Sequence, residues 1–204
     1  MNRLIIIGAS GHGKVVADIA KKCGYEDIVF LDNNIRLKTC AGYPVLGPDI
    51  MTAELDGDVF VAVGDAGIRK MLMEKNCNRH FPVLIHPDAV VADDVQIDDG
   101  SVVIAGAVIN PGARIGRGVI VNTSSSIDHD CMVGDYCHIS VGTHLSGTVI
   151  VGENTWIGAG VTVINNVSIC GGCIIGAGAV VIKNIDVSGT YVGVPARMKD
   201  RLDG

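Results

Sequence analysis

The stretch Val121-Asn122-Thr123-Ser124-Ser125-Ser126-Ile127-Asp128-His129-Asp130-Cys131-Met132-Val133-Gly134-Asp135-Tyr136-Cys137-His138-Ile139 decides the fold. Val121, Ile127, Val133 and Ile139 stand six residues apart. The same spacing runs unbroken from Val91 to Val187, through Ile97, Val103, Ile109, Ile115, Leu145, Val151, Ile157, Val163, Ile169, Ile175 and Val181. A fixed internal period marks a repeat architecture. A period of six is neither the helix period of 3.6 nor the strand period of 2. It suits a chain that makes a short strand, turns a corner and starts again. Three hexads, 18 residues, close one triangular coil, and coils stack at the strand spacing of about 4.8 Å.

The position two before each aliphatic is usually small: Ala89, Ser101, Ala107, Ala113, Ser125, Cys131, Cys137, Thr143, Thr155, Cys173 and Ala179. Strand alternation turns this residue inward beside the large one. Gly follows the aliphatic at 116, 134, 152, 158 and 176. No hexad is interrupted, so no long loop leaves the solenoid.

Composition agrees. Of 204 residues 48% are hydrophobic but only 4% aromatic, with 27 Gly. A narrow solenoid interior admits aliphatic side chains and little else. The net charge of −6 offers no basic field for nucleic acid. No apolar run approaches the roughly 20 residues of a membrane span. The apolar run Leu4–Ile7 is too short for a signal peptide and reads as a strand. Seven Cys, an odd number without framework spacing, indicate reduced thiols and a cytoplasmic protein.

Residues 1–82 have a different grammar from 83–204, with a boundary near Phe81–Asp88. Strands are expected at Arg3–Gly8, Asp27–Asp32 and Val59–Gly64, and helices at Lys14–Cys23 and Ala66–Cys77. Alternating β and α units argue a small, Rossmann-like parallel sheet. Gly8-Ala9-Ser10-Gly11-His12-Gly13 lies between strand and helix, where glycines admit a phosphate to the helix N-terminus. The spacing is not the dinucleotide fingerprint. Asp32 and Gly64 end strands on the carboxyl edge, where ligands bind in parallel sheets.

The most polar corner of the repeat is Asn122–Asp130. His129 follows inward Ile127 by two, so it stands outward at a corner. A neutral imidazole takes a proton from an attacking amine or hydroxyl, and adjacent Asp130 holds its tautomer. Gly147 lies one coil after His129, where a missing Cβ leaves room for a ligand and an amide to face an oxyanion. His138 and Trp156 are also one coil apart, on an outward face. Asp128 reads as a solvated turn carboxylate. His129, His138 and His144 lack ligand spacing, so no metal is expected. Cys170 and Cys173 are expected to diverge, Cys173 inward and Cys170 outward.

The hexads resemble those of the hexapeptide-repeat acyltransferases, which implies a left-handed parallel β-helix and a homotrimer. With Gly8–Gly13, Phe30-Leu31-Asp32, Val63-Gly64, Ile68-Arg69-Lys70, Asn122–Asp130, Val141-Gly142 and Val192–Ala196, the chain resembles bacterial UDP-4-amino-sugar N-acetyltransferases, the PglD-like group related to the sialic acid O-acetyltransferases. The resemblance implies acetyl-CoA as co-substrate, glycan biosynthesis, and direct acetyl transfer with His129 as base and Asp130 assisting. It places acetyl-CoA against His138, Gly147, Gly158, Ala159, Gly176 and Ala177, between subunits. It places the nucleotide sugar against Ser10, Gly11, His12, Asp32, Asn33 and Gly64. Sialic acid O-acetylation and a non-catalytic nucleotide-sugar scaffold are the alternatives.

Overall fold

A computed structural model describes residues 3–199. The chain divides into two compact units, one ending at Pro87 and one starting at Asp88.

In the first unit β1 (Arg3–Ile7) is an interior strand of a five-stranded sheet. It pairs in parallel with β2 (Asp27–Leu31) and with β5 (Asp58–Val61). Leu4, Ile5 and Ile6 are fully buried, as a strand covered on both faces requires. Helix α1 covers Gly11–Lys22, so Gly11, His12 and Gly13 belong to its first turn, not to a longer loop. The cause is close packing: a Cβ on Gly13 would lie 2.2 Å from the Gly8 carbonyl oxygen. Strand β3 (Thr39–Cys40) and β4 (Tyr43–Gly47) form a hairpin absent from the sequence reading. Its turn, Ala41-Gly42, is left-handed at both residues, with φ of 51° and 84°. Such turns favour Asn-Gly or Asp-Gly, and alanine hides the signal. A 3₁₀ helix at Asp49–Glu54 precedes β5, and α2 (Ala66–Lys75) follows it, capped by the Asp65 side chain on the Ile68 N–H.

The second unit is a parallel β-solenoid with three faces of two-residue strands. The first face holds Val90–Val91, Val108–Ile109, Ser126–Ile127, His144–Leu145, Thr162–Val163 and Val180–Val181. The second runs from Gln96–Ile97 through Met132–Val133 to Ser168–Ile169. The third holds Val102–Val103, Ile120–Val121, His138–Ile139, Trp156–Ile157, Ile174–Ile175 and Thr190–Val192. Partners are 18 residues apart, as in Ser126 with His144 and His138 with Trp156.

The inward aliphatics and the small residues two before them form one core. Several of its polar members share one recurring contact, while Ser125 donates back to Asn122 O at 2.7 Å. Ser101 donates to Gly116 O at 2.8 Å, Thr143 to Gly158 O at 2.9 Å, and Cys131 to Ser146 O at 3.1 Å. Each carbonyl lies 15 residues further on, in the adjacent coil. A buried hydroxyl costs little once bonded. From Ile97 to Ile175 the residue three after each aliphatic takes a left-handed φ, including Ser124, Asp130, Tyr136, Thr148, Asn154 and Asn166. The glycines after the aliphatics serve coil stacking: a Cβ on Gly152 would lie 2.3 Å from Gly171 N.

The hexad period outlasts the regular coil. Val187, expected inward, is 60% exposed, and Ile185 fills the slot instead, bridging to Ile169. Asn184 causes the shift. Its side-chain oxygen accepts the Ser168 N–H at 3.0 Å, so the chain turns in two residues early. Tyr191 then pairs with Ile175, and Arg197–Met198 closes the end as an antiparallel strand.

Candidate active site

His129 and Asp130 occupy the corner after the strand Ser126–Ile127. Asp130 is in the left-handed region, φ 57°, which a short polar side chain tolerates. That turn brings its carboxylate to 2.9 Å from His129 Nδ1. The contact, helped by Asp128 and opposed by slight desolvation, holds the His129 pKa above its ordinary value. Nδ1 is thereby committed, and Nε2 is the nitrogen left to handle a substrate proton.

Glycines flank the pair one coil away on either side. A Cβ on Gly147 would lie 2.4 Å from His129 Nε2, and one on Gly112 would lie 2.5 Å from Asp130 Oδ1. Gly147 is therefore in register with His129, but the space it leaves is filled by the imidazole itself, not held open for a ligand. The ring lies across the next coil, so any side chain there would displace it.

Asp128 is not simply solvated. Its Oδ1 accepts from Asn110 Nδ2 and from the His129 backbone N–H, each at 2.8 Å. These bonds, Asn110 first, keep its pKa below the ordinary carboxylate value. Asp128 and Asn110 thus pin the backbone that carries His129. Their 18-residue separation was the available signal.

His138 lies on the third face, not at this corner. Its Nε2 is 3.1 Å from Asn122 Nδ2, and its ring stacks on Trp156 with centroids 6.1 Å apart and planes 12° apart. Trp156 Nε1 donates to Ser140 Oγ at 2.8 Å. The corner that ends this face carries exposed Ala159 and Ala177. Gly158 is buried there, with Ile175 O 2.6 Å from any Cβ, and Gly176 has Val192 at 2.7 Å. Within one chain the structure joins His129, Asp130 and Gly147, and separates them from His138, Gly158, Ala159, Gly176 and Ala177.

Cys170 and Cys173 do not diverge. Their sulfurs are 3.6 Å apart, because the turn at Gly171-Gly172 folds the outer thiol back over the inner one.

In the first unit a cavity of about 160 Å³ is lined by Gly8, Asp32, Asn33, Asp49, Val63 and Ile68, among others. Asp32 Oδ2 accepts the Ala9 N–H and Oδ1 the Asn34 N–H, both at 2.8 Å. Its carboxylate ties the glycine loop to β2, which limits what it offers a sugar. Asn33 accepts from Asp49 N at 3.2 Å. Ser10, Gly11 and Gly64 are exposed at the same strand edge. His12 is largely buried, and burial followed by the Arg69 charge lowers its pKa to about 4. Its Nε2 is buried without a hydrogen-bond partner. Arg69 is 1% exposed and donates to Val63 O and Gly64 O at 2.8 and 2.9 Å. It fixes the strand edge that the sequence markers bracketed, a role invisible without the fold.

Residues 3–76 match the PglD N-terminal domain, and residues 148–183 match the bacterial transferase hexapeptide repeat. The GDP-perosamine N-acetyltransferase of Escherichia coli O157:H7 is 31% identical over 159 residues, spanning 73% of this chain and 72% of that protein. The chain belongs to the PglD-like hexapeptide-repeat acyltransferases. The family makes the solenoid a left-handed parallel β-helix. The UDP-N-acetylbacillosamine N-acetyltransferase of Bacillus subtilis strain 168 is 35% identical over 113 residues, 52% of each chain. The acetyltransferase domain of PglB from Neisseria gonorrhoeae FA1090, solved in complex with acetyl coenzyme A, superposes with a TM-score of 0.94 at 41% identity, covering 98% of this chain and all of that one.

Proposed function

We propose that this acyltransferase moves the acetyl group of acetyl-CoA to the 4-amino group of a UDP-linked amino-dideoxy-sugar, with His129 as general base. The observation that carries this reading is the His129 ring: Nδ1 on Asp130 at 2.9 Å, Nε2 uncommitted beside Gly147. The named substrates of the PglD-like relatives, a GDP-linked and a UDP-linked amino sugar, support the acceptor class.

The amine attacks the thioester carbon, Nε2 takes the amine proton, and coenzyme A leaves as its thiol. Asp130 stabilises the imidazolium. An amine is a sufficient nucleophile, so no acyl-enzyme forms. Cys131, the thiol closest in sequence, is buried and bonded to Ser146 O, and burial pushes its pKa up. The Gly147 amide serves the oxyanion. Ser10, Gly11, His12, Asp32, Asn33 and Gly64 hold the nucleotide sugar. His138, Gly158, Ala159, Gly176 and Ala177 hold the coenzyme.

His129 and His138 stand on different sides of the same coil, so a site using both takes one from each of two copies in a homotrimer. Mixing His129→Ala and His138→Ala chains during refolding should restore activity that neither shows alone.

The deciding experiment incubates the protein with acetyl-CoA and a panel of UDP- and GDP-linked amino sugars, reading product mass and free thiol. His129→Ala should lower kcat by roughly 10²–10⁴. Near-normal turnover by the folded variant overturns the role of His129, and no acetylated product from any amino sugar overturns the acceptor class.

A further inference from the structure

We propose that Cys170 and Cys173 form a redox-active dithiol that a peroxide closes to an intramolecular disulfide. The sulfurs are already in van der Waals contact at 3.6 Å. A disulfide needs about 2.05 Å between sulfurs and Cα atoms about 4.4–6.8 Å apart. The turn holding the pair, with Gly172 at φ 71°, keeps its end Cα atoms within about 7 Å. Side-chain rotation closes the remaining gap while the backbone stays in place.

The pairing has a structural origin. Cys131 and Cys137 fill inward positions equivalent to that of Cys173, and each donates its S–H to a carbonyl 15 residues on, at 3.1 Å. Cys173 lies where the last coil is shortened. Its carbonyl contact is Val187 O, 14 residues on and 3.9 Å away. The Asn184-driven early turn thus withdraws the usual acceptor and leaves the thiol to Cys170. Cys170 is partly exposed and Cys173 fully buried. Burial, then the Cys170 contact, pushes the Cys173 thiol up to about 11. Cys170 is accordingly the attacking sulfur and Cys173 the resolving one.

The step balances. The Cys170 thiolate attacks one oxygen of hydrogen peroxide and expels hydroxide, which takes a proton to become water. The resulting sulfenic acid is attacked by Cys173, which loses its proton as a second water departs. Two thiols and one peroxide give one disulfide and two waters, sulfur being oxidised and peroxide reduced.

The test uses the full-length protein. It is treated with hydrogen peroxide, alkylated under denaturing conditions, and cut with trypsin and a glutamate-specific protease. The fragment spanning 154–183 contains these two cysteines and no other. The proposal expects that fragment unalkylated and two hydrogens lighter, with dithiothreitol restoring two alkylation sites. Cys170→Ser should abolish the mass loss. Two alkylated thiols in the fragment, while exposed Cys23 and Cys77 have reacted, overturn the proposal. So does a disulfide joining either residue to a different cysteine.

Discussion

Gly147→Ala tests whether catalytic geometry is set by the missing Cβ. The new methyl would lie 2.4 Å from His129 Nε2, 2.6 Å from Cε1 and 3.1 Å from Cδ2. Ordinary contact begins near 3.4 Å, so the ring must retreat by about 1 Å. The ring is exposed and it, rather than backbone, gives way. Gly147 is not among the left-handed glycines, so alanine adds no backbone strain. Stability should change little, with Tm within about 2 °C of the parent for a change under about 0.5 kcal/mol. A displacement of about 1 Å at a reacting group costs on the order of 10²-fold in rate, or about 2.7 kcal/mol of transition-state stabilisation. Leaving Asp130 also lets the His129 pKa fall back toward its ordinary value. Steady-state thiol release gives kcat, thermal unfolding gives Tm, and the imidazole NMR titration gives the pKa. A kcat within threefold of the parent, with Tm unchanged, would refute the idea that Gly147 positions the base.

Asp130→Asn removes what raises the His129 pKa, so the acidic limb of kcat/KM should move to lower pH while the plateau falls. A limb that stays in place assigns it to another group. In stability terms the pair favours folding below about pH 6.5 and that benefit is lost as pH rises through the raised His129 pKa, but the groups are so exposed that Tm should barely register it. Gly152→Ala drives a methyl to 2.3 Å from Gly171 N, against backbone that has no easy retreat; it should lower stability by about 1–3 kcal/mol, read by chemical denaturation. His12 has a folded pKa of about 4 against 6.5, so the unfolded chain takes the proton first. Stability should fall between about pH 6.5 and pH 4, by at most about 3 kcal/mol from this group, and His12→Gln should flatten that slope.

The solenoid was legible because each inward residue repeats every six positions with nothing inserted. The same register located Gly147 beside His129 and Trp156 beside His138. It failed where a side chain imitates backbone. Asn184 takes over a main-chain acceptor, so Val187 reads as core by spacing yet lies outside. The thiol pair failed for a related reason: counting alternation sends Cys170 outward, but a two-glycine turn folds it back. Asp128 looked solvated because Asn110 is distant in sequence, although one coil separates them. In the first unit no period helps. Helix α1 starts at Gly11 because Gly13 must pack on the Gly8 carbonyl, and Asp32 is occupied by loop amides. In the sequence Arg69 stands only as a marker of the resemblance, and its bonds to Val63 O and Gly64 O under the strand edge emerge only in the fold.

The shortened final rung also has a bearing on assembly. A stack of parallel strands ends in a row of free amides and carbonyls, a template onto which another chain could zip. Pulling Ile185 in early leaves the second face with a single bridge rather than a full strand. On the third face, Arg197–Met198 runs the wrong way for continued winding. On these two faces the last described coil therefore presents a single bridge and an antiparallel strand in place of two full parallel strands.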